Sequence, residues 1–129
     1  MIAVNLFHIF LLGPIMIYIG YYKKNNTDLA KKMLVGITAM IPFIVNIPNL
    51  KKLYINYHLI NLFHWTFILA YFSYVSYLFI YEKNIHEGIY ISLLIIGILI
   101  ILIHLYKLIP KLFPKKNIQD KIQYTSSKL

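Results

Sequence analysis

The sequence predicts an all-α fold, an integral membrane four-helix bundle built from two repeated helix pairs, and three observations carry that prediction. Of 129 residues, 60% are hydrophobic and only 13% are charged, with a mean hydropathy of +0.67. That composition is too apolar for a water-soluble domain of this size. The apolar residues fall into four runs, each close to the roughly 20 residues that a helix needs to cross a hydrocarbon core. Finally, Asn5-Leu6-Phe7-His8, near the start of the first run, recurs as Asn61-Leu62-Phe63-His64 near the start of the third. The expected bundle covers residues 1–109, with spans at about 2–22, 29–47, 58–81 and 88–109, and a basic, flexible tail follows over 110–129.

The first span lacks the basic leader and small-residue cleavage site of a signal peptide, so it is expected to be retained. Gly13-Pro14 falls at its middle, where proline removes a backbone donor and crowds the carbonyl of Phe10, predicting a kink. Tyr21, Tyr22, Lys23 and Lys24 form an aromatic and basic exit. Thr27 or Asp28 then caps the second span. Asn25-Asn26-Thr27 matches the glycosylation pattern, but its place against the membrane makes the match a coincidence. Pro42 and Pro48 bend and then end the second span, and Asn46 is the polar residue near that end.

Residues 49–57, with Lys51, Lys52, Tyr54 and Tyr57, return along the interface to a third span that is rich in aromatics and holds Trp65, Ser73 and Ser76. The link Glu82 to Glu87 leads to an Ile-rich fourth span broken only by Gly97. Links this short force neighbouring spans to run antiparallel.

The repeat makes His8 and His64 equivalent, and with two spans per copy any pseudo-twofold axis runs along the membrane normal. Counting from the span ends, His8, His64, His104 and Asn46 share one layer, roughly 6 to 9 Å from the midplane at 1.5 Å per residue. At 100° per residue, Asn5, His8, Leu12 and Ile15 share a face of the first span, and Asn61, His64, Ile68 and Tyr71 the matching face of the third. His104, Gly97, Tyr90 and His86 align on the fourth. Intramembrane ionisable groups face the bundle interior or a cavity.

Three readings of the layer follow. Neutral histidine can serve as interhelical hydrogen-bonding glue. His8, His64 and His104 can ligate b-type haem or a metal, with Gly13 and Gly97 making room. The cluster can also line a small pore. Other chemistries are excluded more firmly. The chain has no cysteine, hence no disulfide, thiolate ligand or cysteine nucleophile. No Asp or Glu lies within a span, which argues against carboxylate-bridged metals. The serines have no evident base partner, and no residue is assigned a catalytic role.

His8, Gly13-Pro14, Tyr18-Ile19-Gly20 and His104-Leu105-Tyr106 together resemble the pattern of small uncharacterised multi-pass membrane proteins of large DNA viruses of protists. The resemblance covers parts of the first and fourth spans and implies a virus-encoded multi-pass protein. It implies no activity and no site residues.

All thirteen basic residues are lysine, against four acids, for a net charge of +9. They lie between and after the apolar runs, a distribution that suits lipid headgroups rather than nucleic acid. Lys107, Lys111, Lys115 and Lys116 are the candidate contacts to anionic lipid. Lysine counts on the two faces place both termini in the cytosol. Ser127-Lys128-Leu129 matches the peroxisomal address, which makes a peroxisomal membrane the alternative location. The expected function is that of a non-enzymatic membrane protein acting through helix packing and headgroup contact, with a homo-oligomer allowed.

Overall fold

A computed structural model describes residues 2–52, 54, 56–81 and 83–113. Residues 114–129 of the expected tail, with Lys115, Lys116 and Ser127-Lys128-Leu129, lie outside the described residues. Within them the chain forms four long helices and no strand: α1 (Ile2–Asn25), α2 (Asp28–Ile44), α3 (Asn56–Ile80) and α4 (Glu87–Leu112).

Helix α1 passes Gly13-Pro14 through a widened π-turn over His8–Leu12, in which the Gly13 N–H bonds to the carbonyl of His8, five residues back. The expected proline kink is thus replaced by a wide turn just ahead of the ring. Helix α3 carries the same turn over His64–Ile68, closed by Leu69 N–H to the His64 carbonyl. The repeated sequence motif therefore has a repeated local structure, and in α3 it forms without proline.

Helix α2 starts where its capping signal places it. Thr27 is extended and its hydroxyl accepts from the Ala30 N–H at 3.4 Å, while Asp28 lies in the first turn, where the positive end of the helix dipole favours a carboxylate. Its end differs from the expected Ile47. The helix stops at Ile44, and Val45 turns extended at φ −88°, ψ 115°. Pro42 removes a donor from the last turn, and the Trp65 indole N–H binds the Val45 carbonyl at 3.2 Å, so the freed strand is held by α3. At 17 residues, α2 reaches only about 25 Å at 1.5 Å per residue.

The other three helices have 24, 25 and 26 residues and are long and apolar enough to cross a membrane. Helix α4 starts at Glu87, capped by His86, and runs over Pro110 to Leu112, three residues past the expected end.

One core is shared by all four helices, with Met16 and Ile19 of α1, Leu34 of α2, Phe72 and Val75 of α3 and Leu93 of α4 fully buried. The exterior is just as apolar. Only 17% of the most apolar stretch of α4 is buried, and Phe10, Phe43 and Phe67 point outward, 72%, 90% and 65% exposed.

Helix α1 packs most extensively on α4 and α2 on α3, with a narrower α1–α2 contact. The α1–α4 seam is made by glycine. A Cβ on Gly20 would stand 2.5 Å from the Tyr90 carbonyl oxygen and 2.6 Å from the Leu94 nitrogen, and one on Gly97 would stand 2.9 Å from the Gly13 oxygen. Small residues let helix backbones touch, which matters in lipid, where apolar burial alone gives no drive to associate.

A candidate polar site of histidine and asparagine

The seam fixes the antiparallel register of α1 and α4. Gly20 lies against Leu94 and Gly13 against Ile101, so His8 falls opposite His104. Their rings stack with centroids 4.1 Å apart and planes 13° apart.

The π-turn makes this alignment compatible with the glycine seam. In a regular helix His8 would sit about 120° from Gly20 and about 140° from Gly13, at about 100° per residue. A turn closed five residues back holds one extra residue and removes about 100° from both offsets. His8, Gly13 and Gly20 then all face α4.

Hydrogen bonds set each ring. His8 Nδ1 lies 2.7 Å from the Val4 carbonyl and His64 Nδ1 lies 2.7 Å from the Ile60 carbonyl, again one pattern in both copies of the motif. His104 Nδ1 lies 2.9 Å from Asn5 Oδ1. A carbonyl or amide oxygen carries no proton, so Nδ1–H is the donor in all three of these bonds. His64 lies within electrostatic range of both His8 and His104. Two donors remain: Asn5 and Asn61, 4% and 7% exposed, each have a buried Nδ2 with no hydrogen-bond partner.

His8 and His104 are thus brought together, and Asn46 stands apart from them. It stands beyond the end of α2, exposed, with its amide donating to the Tyr57 hydroxyl at 2.5 Å. The Asn49 N–H meets His58 Nδ1 at 3.4 Å nearby. The space foreseen at Gly13 and Gly97 is filled where the two helices touch each other. Among the described residues no three His, Cys, Asp or Glu side chains are close enough to hold one metal ion. Imidazole lone pairs lie in the ring planes, so the nearly parallel rings of His8 and His104 do not converge on one point. Lys107 and Lys111 are exposed near the end of α4.

The residues that sequence reasoning left out of the site are Asn5 and Asn61. Their signal was available, since asparagine opens both copies of the motif and shares its inward face with histidine. Comparison with protein-family models, with curated proteins and with solved structures finds no match to this chain.

Proposed function

We propose that this chain is a non-enzymatic multi-pass membrane protein, a four-span bundle of two repeated helix pairs that acts through helix packing and contact with lipid headgroups. The observation that supports it best is the α1–α4 glycine seam within a molecule apolar on its outside as well as its inside. Backbone contact of that kind holds helices together where the surroundings are as apolar as the core. The two-fold relation is supported by the π-turn that follows each copy of the motif. Both termini are taken to be cytosolic. A peroxisomal address at Ser127-Lys128-Leu129, a homo-oligomeric state and a viral source stay with this reading as further proposals.

The test exploits a chain that has no cysteine. Single variants Lys24→Cys, Asn49→Cys, Asn84→Cys and Lys111→Cys, made in intact membranes, are labelled with an impermeant maleimide. Four spans place Lys24 and Asn84 on one side and Asn49 and Lys111 on the other. Labelling of Lys24→Cys and Asn49→Cys from the same side would show that α2 does not cross, and release of the protein by alkaline carbonate would overturn the reading.

A second reading, b-type haem or metal ligation by His8, His64 and His104, is favoured by the Nδ1 contact that each ring makes to an oxygen, since a ligating histidine gives its other N–H to an oxygen. It requires the stacked rings to part. A Soret band or a stoichiometric metal content in the purified protein, lost in His8→Ala and His64→Ala, would favour it over the first, and the absence of both would remove it. The pore reading calls for ion flux in liposomes.

A further inference from the structure

At the end of the bundle opposite the histidines, the start of α2, the end of α3 and the link to α4 enclose an open groove of about 840 Å³. Its rim and its floor differ in kind. Lys24, Lys31, Lys32 and Lys83 stand around the mouth, while Val35, Gly36, Leu78, Ile85 and Tyr90 are among the residues that line it below. One aspartate, Asp28, shares the rim and lies 3.5 Å from Lys31. Among the described residues, Lys24, Lys32 and Lys83 pair with no carboxylate. Lys23, just outside, is already paired with Glu87.

The floor extends one helical turn, about 6 Å, below Lys32. Gly36 is eight residues from the start of α2, about 12 Å along the axis, and nothing lies within 4 Å of the place its Cβ would take. The groove is therefore open at that depth.

From this juxtaposition we infer that the groove binds one anionic phospholipid, its phosphate among Lys24, Lys32 and Lys83 and an acyl chain laid over Val35 and Gly36. Charge complementarity selects the head, since cationic pockets between membrane helices take anionic headgroups. The positive end of the α2 dipole lies at the same mouth. The apolar floor selects a lipid over a free phosphate, which would leave Gly36 bare. The site is separate from Lys107, Lys111, Lys115 and Lys116. It rests on the reading of the chain as a membrane protein and adds a ligand to it.

The test is reconstitution of the full chain in nanodiscs of phosphatidylcholine with 10% phosphatidylglycerol, followed by native mass spectrometry of the released protein. Wild type is expected to retain one phosphatidylglycerol, undisplaced by excess inorganic phosphate. Each lysine near the anionic group contributes about fivefold, so Lys24→Gln, Lys32→Gln and Lys83→Gln combined should weaken retention about a hundredfold. Gly36→Leu, whose Cβ meets nothing within 4 Å, should weaken it about tenfold with its charges intact. Lys51→Gln with Lys52→Gln should leave it unchanged. Equal retention of phosphatidylcholine, equal loss in the Lys51 and Lys52 variant, or no effect of Gly36→Leu would overturn the site. Failure to enter nanodiscs at all would instead overturn the membrane reading.

Discussion

His8 and His104 stand near opposite ends of the chain, and their imidazoles stack face to face with centroids 4.1 Å apart. The stack continues a seam in which α1 and α4 meet backbone to backbone at Gly13, Gly20 and Gly97. Ring pair and seam join the same two helices, so perturbing either should be felt by the other.

The seam is the more sensitive part. Gly20→Ala places a methyl against the backbone of α4, which cannot move aside as a side chain can, and should cost about 1–3 kcal/mol. Gly36→Ala meets nothing within 4 Å and should stabilise α2 by about 0.5–1 kcal/mol through its lower unfolded-state entropy. Unfolding in mixed micelles by dodecyl sulfate checks both. Equal effects would contradict the packing described.

The bond between His104 and Asn5 is testable as a pair. A double-mutant cycle of Asn5→Leu and His104→Leu should give a coupling of about 0.6 kcal/mol and no more than about 1.7, the range of hydrogen bonds between membrane helices. Additive losses would mean that the 2.9 Å contact contributes nothing.

Trp65 fastens the end of α2. Trp65→Phe keeps an aromatic ring but removes the donor to the Val45 carbonyl, which should cost about 0.5–1.5 kcal/mol. Amide exchange should quicken at Asn46, Ile47 and Asn49 and stay unchanged in the centre of α4. Thr27→Ala, at the other end of α2, should cost about 1 kcal/mol through loss of the cap.

Much of this arrangement was legible in the sequence because it depends on helical periodicity. Asn5, Leu12 and Ile15 are buried, and so are Gly97 and Tyr90 on α4, although the π-turn shifts Ile15 about 100° away from the face that its spacing from His8 predicts. Thr27 was readable as a cap for the same local reason. The end of α2 was not, since it depends on a tryptophan twenty residues on that takes the Val45 carbonyl. That is a tertiary contact with no local signal. Asn46 dropped out of the layer with it. Gly13 and Gly97 were seen as space, but the purpose of that space is set by which helix fills it. The π-turns left no mark in composition, because the one at His64 has no proline to announce it.

Those turns bear on how the gene can change length. A single-residue deletion within a helix normally rotates everything beyond it by about 100° and tears one face from its neighbours. A π-turn holds one residue more than an α-turn, so removing Phe67, which is 65% exposed, would leave an ordinary turn with Asn61 and Phe72 still on their present faces. Deleting Tyr74, also exposed but outside the turn, would swing Phe79 out of the core. Each copy of the motif thus carries a spare residue, and a codon lost there should be tolerated where one lost a few positions later should not.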